Sequence, residues 1–284
     1  MKNYTQRVAA ITGAGSGIGR ALALDLAGRG CHLSLADINA DRLQAVRTEI
    51  ANTGVNCSIH MVDVAQREQV EQYAKATVAT HGHVHMIFNN AGVGLADYVE
   101  TQSYADFEWL MNINFWGVVY GSKAFLPYLH KVDEAHIINI SSLFGLGAVP
   151  SQAAYNAAKF AVRGFTEALK MELADSAIRV SCIHPGGIRT NIVNDARMNE
   201  KSLMLSRNEF SANFDKLAKT DAAKAARIIL HGVARNKRRI LVGADARIID
   251  KIIRLFPGSY EKILRLEKRV HERLRSKTGS PARR

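Results

Sequence analysis

Short apolar or β-branched runs alternate along the chain with longer stretches in which apolar residues recur at helical spacing. The runs predict seven strands, at residues 7–12, 32–36, 58–62, 85–88, 136–140, 179–183 and 240–242. The stretches between them predict helices over 17–29, 40–53, 67–81, 106–130, 153–175 and 221–236. Strand runs that are apolar throughout, rather than alternating, belong in a parallel sheet covered on both faces. The expected fold class is therefore α/β, a doubly wound parallel sheet of seven strands between two helical layers, αβα. No internal repeat, low-complexity segment or linker interrupts residues 1–243, which are read as one domain followed by a helical extension over 244–284.

Composition narrows the class without changing it. Of 284 residues, 47% are hydrophobic and 23% charged, which excludes a disordered or collagen-like chain. Cys31, Cys57 and Cys182 are too few and too far apart for a disulfide framework or a paired-cysteine metal site, so three free thiols are expected. No apolar run reaches the roughly 18 residues of a membrane span, and the first is too short for a signal peptide, so the chain reads as cytoplasmic. The net charge of +12 is concentrated at the end: residues 235–284 hold sixteen Lys and Arg against five Asp and Glu. The body of the chain is nearly neutral.

The first strand runs into Thr12-Gly13-Ala14-Gly15-Ser16-Gly17-Ile18-Gly19, and a helix starts within that segment. Glycines at 13, 17 and 19 let the backbone turn sharply and approach a pyrophosphate, whose charge the helix N-terminus then holds. A glycine cluster alone also fits a tight turn; between a strand and a helix it points to a dinucleotide. The second strand ends at Asp37, whose carboxylate can accept hydrogen bonds from the adenine ribose hydroxyls and would repel a 2′-phosphate. Ser16 and Ile38 are not basic, and no cation is evident in that turn, so NAD is expected rather than NADP. Asp37 also fits a helix cap, but Asn39 can cap the next helix instead.

Tyr155 and Lys159 stand four apart in a predicted helix and so share a face, with Ser142 thirteen positions before the tyrosine, at the end of a strand. A cation fixed beside the phenol favours the phenolate and makes Tyr155 a general acid or base. Ser142 can hydrogen-bond a substrate oxygen and hold it against Tyr155; the adjacent Ser141 is its rival. A Tyr and Lys pair on a helix also fits a solvated face, but together with the glycine loop the spacing resembles the classical short-chain dehydrogenase/reductase (SDR) family. The resemblance covers about residues 6–243.

The resemblance implies a Rossmann-like fold and further site residues. Asp63 and Val64, after the third strand, match the family's adenine contact. Asn90, Ala91 and Gly92, after Asn89, match the motif that lines the adenosine side of the cofactor and stabilises the sheet. Asn114 matches the asparagine that kinks its helix and holds a water of a proton relay. Pro185, Gly186, Ile188 and Thr190 match the segment that touches the nicotinamide. Lys159 gains a second role on the nicotinamide ribose, and Gly13, Ser16, Gly17, Ile18 and Gly19 bind the pyrophosphate. The family implies an oxidoreductase for a secondary alcohol or ketone, a homodimer or homotetramer, and no metal.

Three segments stay open. Residues 191–219 place Met198, Leu203, Met204, Leu205, Phe210 and Phe214 among polar residues, which fits a substrate lid or an ordinary insertion with two short helices. With Leu143, Phe144, Leu146 and Val149 near Ser142, they suggest an apolar substrate. His184 fits a structural loop histidine or a substrate contact, and His81, His83 and His85 are expected in a solvated turn rather than on a metal. In the extension, Ile248, Ile249, Ile252, Ile253 and Phe256 form an apolar stripe, continued less fully by Tyr260, Ile263, Leu264, Leu266, Val270 and Leu274. Such a basic amphipathic piece covers the domain edge or a neighbouring subunit, lies on an anionic membrane, or touches nucleic acid nonspecifically; no specific nucleic-acid module is present. A catalytically silent nucleotide sensor on the same fold is the alternative to an enzyme.

Overall fold

The computed structural model of the protein describes residues 3–263. Its main sheet holds Val8–Thr12, His32–Asp37, Cys57–Met61, Met86–Asn89, Ala135–Ile140, Ile178–Pro185 and Arg239–Val242. Counted along the chain, the strands lie in the order seventh, sixth, fifth, fourth, first, second, third, and every pairing is parallel. Each expected strand is present, with ends within two residues. The chain reverses its direction of travel across the sheet between the first and fourth strands, where an open α/β sheet forms its ligand crevice.

Both sheet faces are covered, as the unbroken apolar strands require. On one face Ile11, Leu33, Leu35 and Ile183 pack against Leu22 and Leu26 of helix Gly17–Gly28 and Ile229 and Val233 of helix Ala222–Ala234. On the other, Val8, Ala10, Ile87 and Val180 meet Tyr73 of helix Arg67–His81, Phe125 of helix Gly117–Leu129 and Leu169 of helix Ala153–Glu172. Consecutive strand residues such as Ala10 and Ile11 thus serve opposite layers, which is the two-residue side-chain period of a strand.

Two expectations are corrected. The single helix expected over 106–130 is two helices, Tyr104–Met111 and Gly117–Leu129, joined by the wide π-type turn Asn112–Trp116. Asn114 causes the break to be useful: its side-chain amide donates to the Val93 carbonyl at 2.9 Å and its carbonyl oxygen accepts from the Val93 amide at 2.8 Å. Of the histidines expected in a solvated turn, His83 is exposed and His81 half-buried, but His85 departs from the expectation. His85 is buried, with Nδ1 accepting the Val8 amide at 3.1 Å, and His81 pairs with the Ser58 hydroxyl. Among the described residues no group of side chains is arranged to hold a metal, and the three cysteines are free.

Segment 191–219 folds into the short helices Glu200–Leu203 and Arg207–Leu217 and is stitched down near the sheet's C-terminal edge. Arg197–Met198 pairs with Leu95–Ala96, and the buried Asp97 carboxylate accepts from Tyr98 N, Thr101 Oγ1, Asn199 Nδ2 and the Ser202 hydroxyl.

The extension starts with helix Ala244–Leu255, and residues 260–263 begin a further helical turn. Asp250, 5% exposed, pairs with Arg239, and Asp245 accepts the Gly187 amide at 2.6 Å. Ile253 lies against Gly147, and the Tyr260 hydroxyl accepts from the Ala148 amide at 3.3 Å. Ile248, Leu255 and Phe256 are exposed on the outer side. Leu264, Leu266, Val270 and Leu274, the rest of the second stripe, lie outside the described residues. Among the described residues no helix is long and apolar enough to cross a membrane.

Asp250→Ala removes the partner of a largely buried guanidinium and is expected to lower stability by about 2 kcal/mol, below the 3–5 kcal/mol of a fully buried pair because Arg239 keeps some solvent. Denaturant midpoints of the two proteins check it; equal midpoints would show that the pair does not hold the helix.

Candidate functional site

The glycine loop is shaped by contacts that no side chain could share. Gly13 and Gly17 adopt φ of +62° and +52°, the left-handed region. A Cβ on Gly13 would lie 2.8 Å from Ala91 Cα, and one on Gly19 would lie 2.1 Å from the Gly13 carbonyl oxygen. Asn90 locks the loop from the fourth strand: its amide donates to the Thr12 and Gly13 carbonyls at 2.9 and 3.1 Å. Ala91 donates its N–H to Thr12 Oγ1. Ser16 caps helix Gly17–Gly28 in an extended conformation without a side-chain capping bond, which leaves its hydroxyl at the helix N-terminus beside Ile18. The residues thus form a cradle that a Cβ would fill, fitting a pyrophosphate.

Asp37 sits at the edge of this loop. Its Oδ2 accepts the Gly15 amide at 2.9 Å and Oδ1 the Asn39 amide at 3.0 Å. Asn39, not Asp37, caps helix Ala40–Ile50 by accepting the Arg42 amide at 2.8 Å. The expectation that no cation lies near this turn is corrected: a Cβ on Gly15 would lie 2.8 Å from Arg42 Cβ and 3.0 Å from Asp37 Oδ2. Arg42 is five residues beyond Asp37, and one helical turn carries it back to the glycine loop. Asp63 turns the chain after the third strand by accepting the Ala65 amide at 2.9 Å, and Val64 packs on Gly117.

The segment after the sixth strand closes the opposite side. Gly186 donates to the Val242 carbonyl, while Thr190 lies against Gly17, where an added Cβ would be 3.1 Å from Thr190 Cγ2. Ile188 is buried, and Pro185 is the last residue of its strand. Asp245 was missed by sequence reasoning: 58 residues after Gly187, it holds that residue's amide, and a Cβ on Gly186 would strike its carboxylate at 2.2 Å.

Ser142, Tyr155, Lys159 and Asn114 converge at the C-terminal edge of the sheet. The Ser142 hydroxyl accepts the Phe144 amide at 3.1 Å and stands close enough to the Tyr155 phenol to favour its ionised form. The Lys159 ammonium, on a residue 3% exposed, lies 5.6 Å from the Tyr155 ring centre and donates to the Ile140 carbonyl at 3.1 Å. Gly92 separates Lys159 from Asn114: a Cβ there would be 3.1 Å from Asn114 Oδ1 and 3.5 Å from Lys159 Nζ. Ser141 is the structural neighbour, donating to the Lys159 carbonyl at 2.8 Å from a buried position. His184 is buried in the sixth strand rather than a loop, and its Nδ1 meets the Ser142 carbonyl at 3.0 Å. Burial pushes its pKa down to about 4, so the ring is neutral and structural.

Burial dominates the titration of both catalytic candidates. It raises the Tyr155 pKa, opposed by the Ser142 hydrogen bond, and lowers that of Lys159 to about 8. No lowering of the phenol by Lys159 accompanies this burial: the ammonium is aimed at the Ile140 carbonyl, and the Ser142 hydroxyl is what opposes the rise. Above the pair, Phe144 packs edge-on to the Tyr155 ring with centroids 6.0 Å apart. Asn156 pins the apolar loop by donating to the Phe144 and Gly147 carbonyls.

The geometry agrees with comparison to known proteins. The short chain dehydrogenase family model matches residues 7–201. The protein SadH of Mycobacterium tuberculosis is 43% identical over 267 residues, covering 93% of this chain and 96% of that one. Cyclohexanol dehydrogenase of an Acinetobacter strain is 34% identical over 191 residues, 67% of this chain and 76% of its own. The crystal structure of a short-chain dehydrogenase/reductase from Burkholderia phymatum in complex with NAD superposes with a TM-score of 0.81 at 30% identity, covering 90% of this chain and 96% of that one. With its seven-stranded Rossmann-like sheet, glycine cradle and serine–tyrosine–lysine cluster, the chain belongs to the short-chain dehydrogenases, and is an oxidoreductase.

Proposed function

We propose that the protein interconverts a secondary alcohol and a ketone with NAD(H), on an apolar substrate. The observation that carries this reading is the convergence of the Ser142 hydroxyl and the Tyr155 phenol, with buried Lys159 beside the phenol ring and the glycine cradle alongside. When bound, the dinucleotide supplies the hydride to a carbonyl carbon or removes it from an alcohol carbon. Ser142 donates a hydrogen bond to the substrate oxygen. Tyr155 gives its phenolic proton to that oxygen in reduction and takes it back in oxidation. Lys159 holds the nicotinamide ribose and, with Asn114, restores the tyrosine proton.

Asp37, with each carboxylate oxygen already fixed by a backbone amide, keeps lone pairs for the adenine ribose hydroxyls, which supports NAD over NADP. Asp63, Val64, Asn90, Ala91 and Gly92 line the adenosine side, and Pro185, Gly186, Ile188 and Thr190 the nicotinamide side. Residues 1–243 are the catalytic unit with a lid over 191–219, and 244–284 its extension. Cyclohexanol dehydrogenase carries a cyclic secondary alcohol in its name, and Phe144, Leu146, Val149 and Ile253 around the catalytic loop support a ring or chain of similar polarity here. Exposed Trp116 in the π-type turn and exposed Phe160 and Met171 on helix Ala153–Glu172 support a homodimer or homotetramer, and exposed Ile248, Leu255 and Phe256 beside Arg247, Lys251 and Arg254 support contact with an anionic membrane.

Tyr155→Phe removes only the transferable proton. It is expected to lower kcat on an alcohol and ketone panel by about 10²–10⁴-fold while NADH still binds. Unchanged turnover would end the assignment, and a wild type that binds NADH but turns over nothing would mark a nucleotide sensor instead. Affinities for the two reduced cofactors test Asp37: NADPH binding as tight as NADH overturns its role.

Lys159 also sets a stability cost. Its pKa falls from 10.5 to about 8 on burial, so the unfolded chain holds the proton more tightly. The cost is full below pH 8 and vanishes as pH rises through 10.5, reaching about 3 kcal/mol at neutrality. Lys159→Met is therefore expected to melt higher than wild type at pH 7 while losing activity, with the gap narrowing above pH 8. A lower or pH-independent melting difference would contradict it.

A further inference from the structure

Arg42 and Asp195 form an ion pair at 3.1 Å between residues 153 apart in sequence. Arg42 rises from the helix after Asp37, and its stem flanks Gly15 opposite the Asp37 carboxylate. Asp195 belongs to the segment following Thr190, which itself lies on Gly17. The pair therefore spans the glycine loop from the adenosine edge to the far wall. Both side chains are about half exposed, 41% for Arg42 and 50% for Asp195, so the bond is worth little and exchanges readily with solvent or a competing anion.

We propose that Asp195 is a cofactor-specificity residue: by occupying Arg42, it withholds the cation nearest the adenine ribose site from a 2′-phosphate. The inference rests on placing the adenine ribose at Asp37. Asp37 then repels the extra phosphate directly, while Asp195 removes the group that would otherwise offset the repulsion. A guanidinium released from Asp195 is a forked donor suited to a phosphate. The position a Gly15 Cβ would take lies 2.8 Å from Arg42 Cβ and 3.0 Å from Asp37 Oδ2, so the long Arg42 side chain starts within reach of the Asp37 edge.

Dissociation constants for NADH and NADPH, read from cofactor fluorescence with the full-length protein, test this in wild type, Asp195→Asn, Arg42→Gln and the double variant. Asp195→Asn is expected to tighten NADPH about three- to fivefold at low ionic strength, with NADH changed less than about twofold, because the neutral amide no longer pairs the guanidinium. The gain shrinks with added salt, and adding Arg42→Gln abolishes it. An unchanged NADPH constant in Asp195→Asn overturns the proposal, as does a gain that survives Arg42→Gln. A wild type that already binds NADPH as tightly as NADH indicts the Asp37 assignment instead, and is read without either variant.

Discussion

A single knot at the sheet edge carries the proposed catalytic arrangement: the seat of the Tyr155 helix against the fifth strand. Ser141, at the end of that strand, donates to the Lys159 backbone carbonyl, and Lys159 Nζ reaches back to the Ile140 carbonyl. Gly145 passes so close that a Cβ would lie 2.2 Å from Ser141 Oγ and 2.6 Å from the Lys159 carbonyl oxygen. Strand end, helix and connecting loop are therefore fixed to one another at a spacing only glycine permits. The Ser142 hydroxyl is held by the Phe144 amide at 3.1 Å near the Tyr155 phenol, and the buried His184 ring secures the Ser142 carbonyl from behind.

That knot is energetically opposed by what it buries. A lysine with 3% of its surface exposed and a phenol with its pKa raised both favour their uncharged forms. The apolar packing of the two sheet faces must hold this site together against that preference, and the burial of Leu22, Phe88, Phe125 and their neighbours is what makes it tolerable. The same burial makes the pair useful. A lysine near pH 8 can pass its proton within the working range, which a solvated ammonium near 10.5 does so less readily.

The residues legible in the sequence are those whose partners are local or whose geometry is carried by spacing. Tyr155 and Lys159 are one helical turn apart, Gly13 to Gly19 is one turn of chain, and each strand is a run of its own. What the sequence hid depends on folding distant segments together. Arg42 shows as an ordinary helix residue until Gly15 packs on it, and Asp245 as a first-turn acid until Gly187 presents its amide. The break at Asn112–Trp116 follows from Asn114 bonding Val93, 21 residues away; helical periodicity runs through it unmarked, and only the family resemblance points to a kink at Asn114. His85 misled for a related reason: three histidines at alternate positions look solvent-facing until the first strand lays the Val8 amide on one ring.

The end of the chain shows why the motifs name a chemistry without naming a substrate. Ile253 and Tyr260 touch Gly147 and Ala148, a few residues beyond Ser142, while Asp245 in the same extension holds the turn at Gly187. One face of helix Ala244–Leu255 thus braces both the loop after Ser142 and the turn after Pro185, whereas Ile248 and Leu255 look outward. The extension thus packs on loops that border the site, while the serine, tyrosine and lysine stand on the sheet edge and the Tyr155 helix. On the proposed function, chemistry and selectivity belong to different parts of the chain, and only the first is written at fixed spacing.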